Sequence, residues 1–189
     1  MCGGVIFPYK KVFAEALAQS FSPEELAEFE RTGQVRSLYW QRGQPVLPVL
    51  AGDGDGEGEG DGSTGPVLVR WGNRDKAAPF PQTGWARVDS IEAGKWSHLR
   101  PKPVLIPVSY GVEKGKWFPI DQGILGVLVQ RKGEERVYML TGDATPEFLD
   151  VTRHERMPIL QDQSTFRWLD ADPYPAGTLP AIQGNLFTP

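Results

Sequence analysis

The apolar residues of this chain come in strand-sized packets, and each packet is closed off by glycine or proline. The richest, GILGVLVQ, is far short of the roughly 20 residues a membrane helix needs. With 22 Gly and 17 Pro among 189 residues, long helices have little room, and the chain must bury its core mainly through short strands joined by turns. VRSLYW, QPVLPVLAG, GPVLVRWG, KPVLIPVSYGV, GILGVLVQRKG and ERVYMLTGD read as strands, with Arg131-Lys132-Gly133-Glu134 as a hairpin turn. Several connections are too short for parallel crossovers, so antiparallel pairing is favoured.

Helices are expected where local signals agree. KKVFAEALAQS places Val12, Phe13, Ala16 and Leu17 on one helical face. In SPEELAEFERTG, Ser22 is the N-cap, Pro23 sits at the first helical position, Glu25 completes a capping box and Gly33 is the stop. TPEFLDVT repeats the pattern with Thr145 and Pro146, and QSTFRWLD reads as a further short helix. The tail DPYPAGTLPAIQGNLFTP is too rich in Pro and Gly to be more than a wrapping segment. The fold class is therefore α+β, with short helices flanking a mixed, mainly antiparallel sheet. A length of 189 residues suits a single domain, 1–189.

Residues 51–65 alternate glycine with Asp53, Asp55, Glu57, Glu59 and Asp61. Clustered carboxylates invite a calcium reading, but the spacing lacks the EF-hand pattern, and glycine at every second position is the composition of a solvated, flexible loop. One cysteine allows no internal disulfide, and the first residues lack a signal peptide's basic and apolar regions, so a cytoplasmic protein is expected. A formal net charge of −4 argues against a uniformly basic nucleic-acid binder. Between Arg70 and Lys102, however, basic residues outnumber acidic ones, Arg74, Arg87 and Lys95 among them, and that third of the chain could face phosphate.

Three residues carry chemistry against this background. Cys2 would become the first residue if Met1 were removed; Glu113 follows an apolar strand; His154 lies in VTRHERMPIL. Taken singly, a Glu before a Lys-Gly turn is a solvated residue, and a loop His is a surface or hydrogen-bonded one.

Taken together with MCG, VRWG, WARVDS, VLIPVSYGVEKG, YMLTGDA and RHERMPIL, in that order, they resemble the SRAP (SOS response-associated peptidase) family, whose members process abasic sites in single-stranded DNA. The resemblance covers most of the chain and implies a barrel-like, mainly antiparallel sheet with a positively charged groove. It implies that Cys2, Glu113 and His154 are catalytic, with Arg87 and Lys95 on the DNA backbone. Phe80 and Trp85 are candidates for stacking on bases, and Arg74 for DNA contact. No cofactor or metal is called for, the partner is single-stranded DNA, and nothing in the chain suggests a self-association face, so a monomer is expected.

The implied chemistry accounts for a cysteine in second place. The α-amine of a terminal Cys attacks the aldehyde of a ring-opened abasic sugar, and its thiol then closes a thiazolidine. Glu113 would serve ring opening and imine chemistry, and His154 proton transfer and reversal. The sequence departs from the family pattern at Gly4 (an arginine in the family), Trp40 and Trp85 (asparagines) and Ser109 (an aspartate). Two alternatives stay open: a cysteine-type (auto)peptidase that cleaves its own initiator Met, and an inactive relative that only binds single strands.

Overall fold

A computed structural model describes residues 3–51, 65–163 and 166–174. The chain opens with β1 (Gly4–Pro8), a 3-10 turn (Lys11–Phe13) leading into α1 (Ala14–Ala18), α2 (Pro23–Thr32), β2 (Gln34–Leu38), β3 (Val46–Ala51) and β4 (Val67–Arg70). It continues through β5 (Trp85–Arg87), α3 (Val88–Glu92), a second 3-10 turn (Ser97–Leu99), β6 (Lys102–Ile106), β7 (Tyr110–Glu113) and β8 (Lys116–Pro119). The long hairpin β9 (Ile124–Arg131) and β10 (Glu134–Asp143) follows, then α4 (Pro146–Thr152) and β11 (Arg156–Pro158). The result is a mixed α+β fold of mostly antiparallel sheets with few, short helices. No helix among the described residues is long and apolar enough to cross a membrane.

Two sheets organise the molecule. One has the order β2-β1-β7-β8; the other runs β11-β10-β9-β6-β3-β4, with β5 added in parallel to β10. Just past β4, Trp71 forms a parallel bridge to Val137 of β10. The main core lies between the sheets and the helices and includes Phe7, Leu17, Phe29, Leu47, Trp71, Ile106, Phe118 and Phe148, all fully buried. Each such side chain contributes about 1.5–3 kcal/mol by leaving water. A second cluster, with Phe80, Leu99, Val127, Val129 and Tyr138, packs against Ile91 of α3.

Local signals produce the elements expected of them. Ser22 Oγ accepts from the Glu25 N–H (3.3 Å) while the Glu25 carboxylate accepts from the Ser22 N–H (2.8 Å). At the other end of α2, Gly33 takes φ 70° and returns its N–H to Phe29 O, an αL stop that costs a glycine little. Thr145 caps α4 through the Phe148 N–H, with Pro146 following. Lys132 and Gly133 turn the β9–β10 hairpin with φ of 52° and 80°, the positive pair that a two-residue type I′ loop demands.

The structure corrects three expectations and adds one strand. KPVLIPVSYGV is not one strand but two, in different sheets: β6 ends at Ile106 and β7 starts at Tyr110. Pro107 has no N–H to continue a ladder, and the chain turns there, with Val108 N–H on Ile106 O and Ser109 N–H on Ile6 O. Val12 is 79 % exposed rather than on the buried face, because residues 11–13 form a 3-10 turn whose three-residue period shifts the phase. The added strand is KWFP, which forms β8. Residues 166–170, the described part of the expected QSTFRWLD helix beyond Gln163, are not helical: Phe166 and Trp168, two residues apart, both pack against Phe118 and Phe148, and Leu169 donates its N–H to Trp117 O. Side chains two apart share a face only on extended backbone. The acidic Gly-rich run at 52–64 and the tail beyond Tyr174 lie outside the described residues.

Candidate active site

Glu113 is the last residue of β7, and the alternation of that strand turns its side chain inward, leaving it 4 % exposed. A tight turn at Lys114 (φ 47°) and Gly115 (φ 75°) sets Lys116 opposite it and returns the chain as β8. On β8, Phe118 meets Phe148 of α4 edge to face, which docks that helix onto the hairpin carrying Glu113.

The end of α4 then delivers the histidine. Arg153 adopts the left-handed conformation (φ 57°) and closes the helix on Leu149 O. Buried Thr152 donates its hydroxyl to Phe148 O (2.7 Å), and the same oxygen accepts the His154 N–H (3.1 Å). With its backbone so fixed, His154 places Nε2 3.0 Å from Glu113 Oε1. Its side chain stays 40 % exposed, so the pair has one partner inside and one reaching solvent.

Burial pushes the Glu113 carboxyl above its usual range, against the pull of the Lys114 ammonium. Partial burial and then the charge of Lys114 hold the His154 imidazole below its usual value. Both directions favour the uncharged forms, and they narrow the ordinary gap between a carboxyl and an imidazole. With Oε1 and Nε2 3.0 Å apart, a proton can be shared or passed between them. Such a pair can accept a proton from one reacting atom and return it to another.

β1 anchors the start of the chain beside this pair. The Gly3 N–H is held by Val112 O (2.8 Å), immediately before Glu113, and Gly3 O accepts the Tyr39 N–H (2.9 Å). At Gly4 any Cβ would collide with Leu38 Cδ2 and stand 3.2 Å from Ser37 O, so the absence of a side chain there follows from close strand approach. Cys2 itself lies outside the described residues; Gly3, its neighbour in sequence, immediately precedes β1, the strand paired with that of Glu113.

The other residues singled out by sequence are distributed differently. Arg87, at the end of β5, is exposed and gives Nε and Nη2 to the Asp89 carboxylate at 3.0 and 2.7 Å, which holds that carboxyl below its usual range. Asp89 also lies 3.5 Å from Arg156 Nη2, and Arg156 reaches Asp143 at 3.0 Å, so the arginines and carboxylates form a chain across the end of β10. Lys95 is exposed after α3. Arg74 is spent on backbone, donating to Gln41 O and Gly43 O at 2.6 Å each.

Phe80 and Trp85 do not offer faces to a base. Phe80 is 7 % exposed under the Arg136 guanidinium, 4.9 Å from its ring, and Trp85 is 9 % exposed, its ring 4.7 Å from that of Tyr39 and 5.9 Å from that of Trp71. Both fill core space. Tyr39, buried among these rings, donates its hydroxyl to Asn73 O (2.9 Å), and burial pushes its pKa up to about 12. Sequence reasoning did not find Thr152, which fixes His154, or Asp89, which occupies Arg87. The second had a signal, a carboxylate two residues after the arginine; the first had none. No group of three or more His, Cys, Asp or Glu among the described residues is placed to hold a metal ion. No family model matches the chain, and no curated protein matches it significantly.

Proposed function

We propose that this protein is a divergent abasic-site processing enzyme of the SRAP kind: it captures the aldehyde of an abasic site in single-stranded DNA through Cys2 after removal of Met1. The observation that carries the reading is the Glu113–His154 contact at 3.0 Å, together with Gly3, the residue after Cys2, being hydrogen-bonded to Val112 O just before Glu113. Two residue types far apart in sequence meet beside the segment that would carry the nucleophile. The bridge from Trp71 to Val137, which links the far edge of the larger sheet back to β10, supports a barrel-like sheet.

The chemistry balances without a co-reactant. Hydrolysis of the Met1–Cys2 peptide bond frees the α-amine. Its nitrogen adds to the sugar's aldehyde carbon, and loss of one water gives an imine. The Cys2 sulfur then bonds to that carbon as the thiol proton passes to nitrogen, closing a five-membered thiazolidine. Glu113 and His154 supply the proton needed to open the sugar ring and expel water, and take up the one released by the amine. Arg87 and Lys95 lie on exposed surface and would hold flanking phosphates, Arg87 by exchanging Asp89 for a phosphate oxygen.

Incubation of the mature protein with single-stranded DNA containing an abasic site should give a heat-stable, slower-migrating species that is lost in Cys2→Ala. Its persistence in that variant would sink the mechanism.

A further inference from the structure

We infer that Trp40 is a base-stacking platform beside the reacting centre, taking the face of a nucleobase that neighbours the abasic sugar in single-stranded DNA. The inference rests on the abasic-site reading above and names a residue that reading does not use. Trp40 is 55 % exposed, whereas Trp71, Trp85 and Trp117 are each 9 % exposed or less. An indole left in water forgoes the burial that stabilises the others. Its ring meets Tyr39 edge to face, with centroids 4.7 Å apart.

The loop that follows is pinned from three directions. Arg74 donates to Gln41 O and Gly43 O, the Gln41 side chain accepts the Leu38 N–H at 2.9 Å, and Gly43 lies so close to Ser20 O that no Cβ would fit between them. A rigid aromatic ring loses little entropy on stacking.

Its position fits the site. Gly3 accepts the Tyr39 N–H on one side and donates to Val112 O on the other; Trp40 lies in the turn two residues past the end of β2, and Glu113 ends β7, the two strands that flank β1. Two strand spacings separate those strands, about 10 Å. Exposed Arg42 comes two residues after Trp40 and exposed Lys114 follows Glu113, so each of the two segments carries a cation available to the phosphates of a bound strand. Base stacking of this kind accepts any sequence, as damage recognition requires.

The test measures equilibrium binding by fluorescence anisotropy, with Cys2→Ala in every protein to prevent covalent capture. The probes are single-stranded oligonucleotides carrying a tetrahydrofuran abasic analogue, with each flanking base present or deleted in turn. Trp40→Ala should weaken binding by about 5- to 30-fold when both flanking bases are present. It should have almost no effect once the stacked base has been deleted, and Trp40→Phe should keep most of the affinity. An equal loss with and without the flanking base, or no loss at all, would overturn the inference, as would a parent protein that binds none of the oligonucleotides. Covalent capture by the Cys2-containing protein is scored separately. Trp40-dependent binding without capture supports stacking and refutes the crosslinking reading; capture with Trp40-independent binding does the reverse.

Discussion

Replacing Thr152 by Val removes a single oxygen from a fully buried side chain of nearly the same shape. That oxygen makes two hydrogen bonds, donating to Phe148 O at 2.7 Å and accepting from the His154 N–H at 3.1 Å. Thr and Val have similar helix propensities, so the loss lies in the bonds. At about 0.5–1.5 kcal/mol per bond, with His154 half-exposed and partly rescued by water, the fold should lose about 1–2 kcal/mol. For a chain of 189 residues this lowers Tm by roughly 2–8 °C. The diagnostic readout is the histidine itself. The chain has two histidines, so the His154 ring signal can be assigned by NMR with a single His98 variant and titrated. In the parent protein its midpoint should fall below 6.5, because burial and Lys114 disfavour the imidazolium. In Thr152→Val the loosened ring becomes better hydrated, and the midpoint should move back up towards 6.5. A parent midpoint at or above 6.5, or an unchanged midpoint in a variant that is destabilised as expected, would refute the claim that Thr152 positions this histidine.

Two further outcomes follow from the same contacts. Burial raises the Glu113 pKa above 4.5, so the folded state holds that proton more tightly than the unfolded chain, and stability should fall as pH rises from 4.5 through the raised value. His154 acts in the opposite sense, with stability falling as pH drops from 6.5 through its lowered value. Glu113→Gln should abolish the first slope in denaturant midpoints measured against pH, and survival of that slope would contradict the assignment. Arg36 lies 5.0 Å from the Trp117 ring, 5.8 Å from that of Tyr174 and 3.3 Å from Asp172, clasping the segment that ends the described chain. Arg36→Ala should cost about 1–3 kcal/mol in unfolding experiments and reduce hydrogen-exchange protection of the Leu169 amide; unchanged protection would show that the clasp does not hold this segment.

What could be read from the sequence was local. The capping residues of α2 and α4 and the Lys132-Gly133 turn act within four or five residues of where they stand, and they formed as their spacing implies. What could not be read depended on partners distant in sequence. VLIP and YGVE have the same apolar character, and only the consequence of Pro107 separates them into two sheets. QSTFRWLD read as a short helix, whereas the packing of Phe166 and Trp168 against Phe118 and Phe148 requires extended chain. Glu113 and His154 could be named individually, but their meeting depends on α4 docking through Phe148. Phe80 and Trp85 looked like stacking residues because single strands are commonly held by aromatic rings. Burial, which the sequence does not display, gives them to the core and leaves Trp40 outside.

The central claim is that amine and thiol of one residue close on one aldehyde carbon. The mass of the purified protein–DNA conjugate tests this most directly. It should equal the protein without Met1 plus the abasic oligonucleotide less one water, with the modification mapping to Cys2 and resisting borohydride. A conjugate that retains Met1, maps elsewhere, or becomes trapped only on reduction would contradict the thiazolidine.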